Sequence, residues 1–338
     1  MVEKINAEGG IKVGDKTYRI ELIKADDKSN YDVALAQANR LIFSEKIKFI
    51  IGPIVSGCVL AIYPVTEPNK TIVMSYCYTP KALGADKPYA FRFYASGHER
   101  IPALCGYMKK NRPNVKTIAL IGPNDETGWG TSKYAKEKAE ELGFEVIFED
   151  FLQRGTTDFF PVLTKMIAKK PDAMIPHSLL PGEVALMLQQ KHQLGYKGLI
   201  ISPSFYELKM LVEKAGTEAV EGFIFQWPDF TGPTATSGMR ELYKTYTAKY
   251  KEELYAMTIP GYATPWIIKM AIEKAGSLDT TAVAKAMENL EGEYPYGRFS
   301  MGGVKTYGSR HQISEPIFFS EIKNGALVGL GSVTPPVP

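Results

Sequence analysis

Histidine and cysteine are scarce in this chain, which contains four histidines and three cysteines in 338 residues. The cysteines Cys58, Cys77 and Cys105 have no Cys-x-x-Cys spacing, so the sequence gives no support for a zinc site. Cys58 and Cys77 could approach each other, but we expect buried free thiols. The sequence also lacks an apolar run of about 18 residues, which argues against a membrane-spanning helix.

The usual signatures of enzymes and of nucleic-acid binding are missing as well. No Gly-x-Ser-x-Gly, Gly-x-x-x-x-Gly-Lys or Gly-x-Gly-x-x-Gly pattern occurs. Asp125 and Glu126 are adjacent carboxylates, but adjacency on a loop does not give the opposed geometry of an acid/base pair. The net charge of +3 comes from Lys and Arg scattered along the chain. We therefore expect no catalysis, no cofactor, no metal and no nucleic-acid partner.

Strand-like and helix-like segments alternate along most of the chain. The length of 338 residues suggests two globular bodies, and the alternation predicts βαβ units with parallel sheets. Strands are predicted at 18–25, 49–54, 116–121, 145–151, 173–176, 199–202 and 222–226. Residues 229–295 have long helical patterns and no confident strand. Near the end of the chain, Asn324-Gly325 predicts a hairpin between 317–323 and 326–330.

Two neighbouring strands are predicted to end in hydroxyl-bearing loops. The run 49–54 precedes Ser56, and the run 71–75 leads to Thr79. In an open parallel sheet the carboxyl ends of strands line a crevice, so Ser56 and Thr79 predict a pocket that hydrogen-bonds a small molecule. The alternative for Ser56 is ordinary capping of the helix that follows it.

Aromatic residues fall at or just after many predicted strand ends. They would form a flat, apolar enclosure, although core or rim packing is the alternative for each of them. They are Tyr76, Tyr78, Phe93, Tyr94, Trp129, Phe205, Tyr206 and Trp227. His177-Ser178 follows another predicted strand and could add a donor, with a satisfied surface histidine as the alternative.

Several short motifs occur along this chain in the order in which they occur in a known protein family. They are Ile5-Asn6-Ala7-Glu8-Gly9-Gly10, Ala25-Asp26-Asp27, Ile51-Gly52-Pro53 with Ser56, Phe91-Arg92, Asp125-Glu126-Thr127-Gly128-Trp129-Gly130 and Gly261-Tyr262. In order and spacing the chain resembles periplasmic solute-binding proteins of ABC importers of the branched-chain amino-acid type. The likeness covers nearly the whole chain.

The resemblance implies an α/β fold with two doubly wound parallel-sheet lobes and three hinge crossings, the type I periplasmic binding fold. We assign residues 1–97 and 229–313 to lobe I, and 98–228 and 314–338 to lobe II. The implied function is an extracytoplasmic receptor whose lobes close on a small carboxylate and which then meets the membrane permease. We expect a monomer or weak dimer. A ligand-sensing regulatory domain on the same fold and a true amino-acid binder are the alternatives.

The resemblance also implies roles for particular residues. Ser56 and Thr79 match positions whose hydroxyls, with nearby amides, hold the ligand carboxylate. Trp129 matches an aromatic that covers the ligand, and Tyr262 one that borders the pocket, with packing as the alternative for both. The full predicted site is Ser56, Thr79, Tyr78, Trp129, Ser204, Phe205, Tyr262, His98 and Ser178.

Two departures from the family pattern matter. Ser204 stands where amino-acid-binding relatives have an acidic residue for the α-ammonium group. A hydroxyl cannot offset the desolvation of an ammonium group, so we expect an aromatic or hydrophobic carboxylate without an α-amino group. Glu99, next to His98, could replace that acid if the register is shifted by one or two residues.

The second departure is at the amino end. Family members have a signal peptide and a first strand before the helix that ends near Gly10, whereas Met1 falls inside that helix. The first strand of lobe I is thus expected to be absent from this sequence. Its loss would leave a slot with unpaired backbone groups between 18–25 and 49–54. A start downstream of the true one, or a truncated chain, is our hypothesis for this departure.

Overall fold

The computed structural model describes residues 1–254, 258–335 and 337. Clustering of its contacts gives two compact units. Of the described residues, the first unit contains 1–96, 258–315 and 337, and the second contains 97–254 and 316–335. Each unit is an α/β body with its own sheet.

Residues 1–96 form the amino-terminal half of the first unit. Its helices are α1 (Val2–Ala7), α2 (Tyr31–Asn39), which continues as a π-helix (Arg40–Ser44), α3 (Ser56–Thr66) and a 3₁₀ turn (Pro80–Ala82). Its strands are β1 (Ile11–Val13), β2 (Lys16–Tyr18), β3 (Phe49–Ile51), β4 (Ile72–Ser75) and β5 (Ala90–Arg92).

Residues 97–254 form most of the second unit. Its helices are α4 (Gly97–Asn111), α5 (Glu126–Glu141), α6 (Phe160–Ala168), α7 (Pro181–Gln193), α8 (Leu208–Ala215), α9 (Thr217–Val220) and α10 (Ser237–Tyr250). Its strands are β6 (Thr117–Pro123), β7 (Glu145–Leu152), β8 (Ala173–Pro176), β9 (Leu199–Ser202) and β10 (Ile224–Phe225).

The remaining elements complete both units. The first unit gains α11 (Thr258–Ala275), α12 (Thr280–Met287), β11 (Glu291–Tyr294), β12 (Gly297–Gly302), α13 (Val304–Tyr307) and β13 (Gln312–Ser314). The second gains β14 (Ile317–Lys323) and β15 (Ala326–Val333). These two strands pair antiparallel with Lys323 opposite Ala326, so the hairpin predicted at Asn324-Gly325 is confirmed.

The strands of each unit form one main sheet. The first unit has the strand order β11-β12-β13-β5-β4-β3, and the second has β15-β14-β10-β9-β8-β6-β7. β3, β4 and β5 are parallel, as are β7, β6, β8, β9 and β10. β4 is buried along its whole length, which suits its continuous apolar run in a sheet covered on both faces.

One predicted strand is wrong. The strand expected at 18–25 is not formed, since β2 ends at Tyr18 and pairs only with β1 in a separate hairpin. Residues 19–27 have no regular structure, and β3 is the edge strand of its sheet. A strand needs a neighbouring strand for its backbone hydrogen bonds, and in the described chain this segment has none.

The predicted boundary between the lobes lies too early in the chain. Residues 229–254, which we assigned to lobe I, belong to the second unit. The reason is a continuous aromatic contact, because Phe230 packs edge-on against Trp227 at 5.3 Å and stacks on Tyr243 of α10 at 5.8 Å. Residues 255–257, 336 and 338, which the predicted boundaries include, lie outside the described residues.

Candidate functional site

Ser56 and Thr79 are brought together in the first unit. Both are buried, and the amide of Thr79 donates a hydrogen bond to Ser56 Oγ at 3.3 Å. Ser56 is the first residue of α3 and does not cap it, since the N-cap is Val55 and makes no side-chain cap bond. The capping alternative for Ser56 is therefore wrong. The Ser56 hydroxyl instead links the loop after β3 to the loop after β4.

The start of α3 adds further donors to this pair. The first amides of a helix have no partner within the helix, and the helix dipole places partial positive charge there. With no side-chain cap at Val55, the α3 amino end can offer amides to a negatively charged group. The pair Ser56–Thr79 and this helix end together have the chemistry of a carboxylate site.

Arg92 supports the Thr79 loop from the core. Its side chain is completely buried at the end of β5, where Nη1 donates to the Thr79 carbonyl at 2.8 Å. Nε donates to Gln312 Oε1 at 2.5 Å, and the guanidinium lies 4.9 Å from the Tyr307 ring centroid. The sequence analysis noted Arg92 only as part of a motif and missed this positioning role.

Two tyrosines of the first unit lie on this loop, and a third, Tyr262, lies on α11. Tyr78 is half-buried, lies edge-on to Tyr94 at 6.1 Å, and its buried hydroxyl has no hydrogen-bond partner within the described chain. Tyr76 is buried and its hydroxyl bonds Thr264 Oγ1 of α11 at 2.7 Å. Tyr262 is half-buried, two residues before Thr264. Tyr78 thus has a spare polar atom, whereas Tyr76 is used by the fold.

Ser178 and Ser204 form a second polar cluster, in the second unit. The Ser178 amide donates to Ser204 Oγ at 3.1 Å, and Ser178 Oγ donates to Thr131 Oγ1 at 3.3 Å. Ser178 has a positive φ of 56°, which turns the chain sharply after β8. Thr131, on α5, is a member of this cluster that the sequence analysis missed, although its hydroxyl in the early turns of a helix was a usable signal.

Aromatic residues accompany this cluster after β9 and β10. Phe205 is half-buried, with its ring 6.4 Å from Trp227 and 5.6 Å from the Arg100 guanidinium carbon. Tyr206 is buried, and its hydroxyl lies 3.1 Å from Ser202 Oγ. Phe205 therefore keeps an accessible surface beside Ser204, while Tyr206 and Trp227 belong to the core.

Trp129 is not part of the Ser178–Ser204 cluster. Trp129 is 50% exposed and lines a surface groove with Lys133 of α5 and Phe151 of β7. Its indole Nε1–H donates to Asn124 Oδ1 at 2.9 Å. Trp129 and Thr131 are two positions apart on one helix, about 200° around its axis. Since Thr131 faces the cluster, Trp129 points away from it.

His98 is occupied by packing on α5. Its ring stacks on Tyr134 with the centroids 3.8 Å apart, and its carbonyl accepts a hydrogen bond from the Tyr134 hydroxyl at 3.2 Å. Glu99, the possible replacement acid, is buried at 3% exposure. The predicted ligand role of His98 stays a prediction, and the stacking gives its ring a structural role within the second unit.

An ion pair holds the loop that carries Ser178. Arg154 Nε donates to Asp125 Oδ2 at 2.8 Å, and its Nη1 donates to the Ser178 carbonyl at 2.7 Å. Asp125 also caps α5 by accepting from the Gly128 amide at 3.0 Å. The carboxylate connected to this cluster is thus already committed to a cation and a helix end.

His177 is buried beneath the same loop. It is completely buried and neither ring nitrogen has a hydrogen-bond partner in the described chain, so the surface-histidine alternative is wrong. Burial, and to a smaller extent the positive charge of Arg154, lower the pKa of His177 to about 4. The imidazole is therefore neutral at physiological pH.

We expect His177 to make stability fall as the pH is lowered. Unfolded, the ring takes up a proton near its ordinary pKa of about 6.5, and folded it does so only near 4. Between these values the unfolded chain binds more protons, so the free energy of unfolding drops by up to about 1.4 kcal/mol per pH unit. Urea unfolding at about pH 7 and pH 5 measures how much stability the wild type loses between these pH values. The loss should be smaller in His177→Gln.

The comparison with His177→Gln is needed because Glu67 changes the stability with pH in the opposite direction. Burial raises the pKa of this carboxyl group to about 7, so its contribution favours the folded state as the pH falls. His177→Gln leaves that contribution in place. Equal losses of stability in the wild type and the variant between the two pH values would contradict the assignment.

No metal site emerges from the part of the chain that the structure describes. No group of three or more His, Cys, Asp or Glu side chains there could hold an ion. The three cysteines are free and buried, as expected. Of residues 1–254, 258–335 and 337, none belongs to a helix that is long and apolar enough to cross a membrane.

Two α/β units with hydroxyl clusters at the ends of parallel strands define a small-molecule-binding protein. A family model described as periplasmic binding protein matches residues 1–326. The chain therefore belongs to the family of periplasmic binding proteins, as its motifs predicted, and the predicted type I fold is confirmed by solved structures of the same fold.

Named relatives and solved structures agree with this assignment. A Leu/Ile/Val-binding protein homolog of Brucella melitensis is 27% identical over 97% of this chain and 86% of its own length. The leucine binding protein LivK of Thermotoga maritima has a TM-score of 0.81 at 24% identity, covering 99% of this chain and 92% of that one. An R. palustris solute binding protein in complex with benzoate has a TM-score of 0.78 at 19% identity, over 98% and 89%.

Proposed function

We propose that this chain is the solute receptor of an ABC importer for a small aromatic or hydrophobic carboxylate without an α-amino group. The observation that carries the proposal is the Ser56–Thr79 pair at the start of α3. It combines two buried hydroxyls with the amides at the start of α3, which have no side-chain cap, and Arg92 fixes the same loop. Convergent donors of this kind are what a carboxylate requires.

The polar cluster of the second unit supports the absence of an α-amino group. An ammonium group needs a carboxylate partner to offset its desolvation. Ser204 offers only a hydroxyl, which already accepts from the Ser178 amide. Asp125, the carboxylate connected to this cluster, is held by Arg154 at 2.8 Å. Recruiting Asp125 for an ammonium group would break that ion pair and the cap of α5.

The relatives make the competing ligand class explicit. The Brucella protein is named for leucine, isoleucine and valine, and the R. palustris structure contains benzoate. Both ligand classes have a carboxylate, which the Ser56–Thr79 pair suits. Only the amino acids have an ammonium group as well. Half-buried Phe205 beside Ser204 favours the aromatic class. The proposed partners are the permease subunits, and the proposed location is extracytoplasmic.

We expect benzoate and phenylacetate to raise the melting temperature by several degrees and leucine and phenylalanine by less than about one. A ligand that binds only the folded state stabilises it by about 2.7 kcal/mol at 100 times its Kd. Differential scanning fluorimetry with each compound measures this effect. The expected order follows from Ser204, a hydroxyl at the position where amino-acid-binding relatives have an acidic residue for the ammonium group.

The matched control is the double variant Ser56→Ala with Thr79→Val. It removes both hydroxyls, and with them the hydrogen bond from the Thr79 amide to Ser56, and should abolish the shift given by benzoate. A shift with leucine and none with benzoate would make the chain an amino-acid binder. No shift across a broad panel of carboxylates would contradict the binding function itself.

A further inference from the structure

Two of the segments through which the chain leaves the first unit lie side by side. The chain passes into the second unit at the ends of residues 93–96 and 313–315, which we call the exit segments. The strands that lead to them, β5 and β13, pair in parallel, with Arg92 opposite Gln312. Because parallel strands run in the same direction, both exit segments leave the sheet on the same side.

Gln312 connects Arg92 to both exit segments. It is completely buried, and its Oε1 accepts from Arg92 Nε at 2.5 Å. Its Nε2 donates to the carbonyl of Tyr94 at 3.0 Å and to that of Ile313 at 2.9 Å. Both hydrogens of the side-chain amide are therefore used. The amide cannot turn relative to either exit segment without leaving a buried polar group unsatisfied.

Two further side chains hold the exit segments. Glu315 is buried, and its Oε1 accepts from the Ala95 amide at 2.9 Å, which joins one segment to the other. The Tyr307 hydroxyl lies 3.2 Å from Ser96 Oγ, and the Tyr307 ring centroid lies 4.9 Å from the guanidinium carbon of Arg92. The exit segments are thus fixed to each other, and Tyr307 gives Arg92 a second connection to the first of them.

The same arginine reaches the Ser56–Thr79 pair. Nη1 of Arg92 donates to the Thr79 carbonyl at 2.8 Å, and the Thr79 amide donates to Ser56 Oγ at 3.3 Å. Nη1 and Nε belong to one planar guanidinium group, so a movement of the Thr79 carbonyl that Arg92 follows also moves the bond to Gln312. A series of buried hydrogen bonds therefore runs from Ser56 to the exit segments.

We propose that Gln312 is a positioning residue that couples carboxylate binding at the Ser56–Thr79 pair to the geometry of the exit segments. A carboxylate that accepts from the Thr79 amide replaces Ser56 as its partner and moves the Thr79 loop. Arg92 holds the carbonyl of that loop, and Gln312 passes the displacement to both exit segments. The inference rests on the function proposed above and adds how ligand binding changes the path of the chain out of the first unit.

Coupling of this kind acts in both directions. A ligand that favours one arrangement of the exit segments binds more tightly when the segments already have that arrangement. Loosening the exit segments should therefore loosen the Thr79 loop even when no ligand is bound. The role of Gln312 can thus be tested in the free protein, separately from the identity of the ligand.

The first test measures amide hydrogen exchange in the free, full chain by NMR. Gln312→Met keeps the length of the side chain and removes its amide. In this variant we expect the Thr79 amide to exchange at least about tenfold faster than in the wild type. The Val283 amide, which donates to the Asp279 carbonyl at 2.9 Å in the same unit, should change by less than about twofold, which shows that the unit is folded.

Gln226→Met is the matched control. Gln226 is buried in the second unit, where its Oε1 accepts from Arg100 Nη1 at 3.1 Å and its Nε2 donates to the Arg100 carbonyl at 2.7 Å. The control thus removes the same kinds of hydrogen bond outside the first unit, and it should leave the exchange rate of the Thr79 amide unchanged. An equal increase in both variants, or no increase in Gln312→Met, would overturn the proposal.

The second test adds benzoate and follows two amide signals by NMR. In the wild type, the signals of Thr79 and Ala95 should both shift and saturate at the same benzoate concentration. In Gln312→Met the Thr79 signal should still shift, whereas the shift of the Ala95 signal should fall to less than about half. Gln312→Glu can accept from Arg92 but cannot donate to Tyr94. It should therefore keep the wild-type exchange rate of the Thr79 amide and reduce the Ala95 response in the same way.

The outcomes separate the coupling from the binding function. An undiminished Ala95 response in folded Gln312→Met would overturn the coupling and leave the proposed function intact. A wild type whose Thr79 signal shifts with none of benzoate, phenylacetate, leucine and phenylalanine would contradict the proposed function instead. In either case, the exchange rates of the free chain decide whether Gln312 positions the Thr79 loop.

Discussion

Replacing Arg92 with methionine is expected to weaken carboxylate binding by about 10- to 100-fold, which is about 1.4–2.8 kcal/mol. The guanidinium is completely buried and donates to the Thr79 carbonyl at 2.8 Å. It therefore fixes the loop whose amide meets Ser56, and its charge favours an anion at that loop. Isothermal titration with the carboxylate that gives the largest thermal shift measures the loss.

The same replacement should lower the free energy of unfolding by about 3 kcal/mol. Methionine leaves the Thr79 carbonyl and the Gln312 side chain without a donor in the core, which costs about 1–3 kcal/mol for each group. Because a destabilised variant binds less well for a trivial reason, binding must be measured well below its melting temperature. Urea unfolding of the free protein gives the stability term separately.

Arg92→Lys separates charge from geometry. Lysine keeps the positive charge but lacks the planar fork that reaches Thr79 and Gln312 together. We expect its affinity to lie between those of the wild type and Arg92→Met. Wild-type affinity in the methionine variant, measured on the folded protein, would show that Arg92 does not act on the site.

The pairing of Ser56 with Thr79 could be predicted because the carboxyl ends of neighbouring parallel strands share one edge of a sheet. The role of Arg92 could not be predicted from the sequence. Its contact with Gln312 joins positions 220 residues apart, and no local pattern records such a contact. Arginine side chains are mostly exposed, so the residue type gave no indication that Arg92 would be completely buried.

Two wrong predictions have different physical reasons. The segment 18–25 has the composition of a strand, but a strand forms only beside a partner, and β3 is the edge of its sheet. The helix α10 was assigned to the wrong unit because its contact with Phe230 depends on tertiary packing.

Gly122→Ala is expected to lower the free energy of unfolding by about 2–3 kcal/mol, the effect of overpacking a filled core. A Cβ atom on Gly122, in β6, would lie 2.1 Å from Cε1 and 2.6 Å from Nε2 of His177. The imidazole is completely buried and cannot swing into solvent. The His177 backbone, which precedes Ser178, would therefore shift as well, and the bond from Ser178 to Ser204 would lengthen.

A double-mutant cycle isolates this contact. His177→Ala removes the ring that the new methyl group meets, so Gly122→Ala should cost less stability in the His177→Ala variant than in the wild type. The expected coupling energy is about 1.5 kcal/mol or more, measured by urea unfolding at neutral pH. Simple addition of the two single effects would mean that the strain lies elsewhere. Because the coupling depends on the neutral ring filling the space under Ser178, its presence would also establish why β6 has glycine at this position.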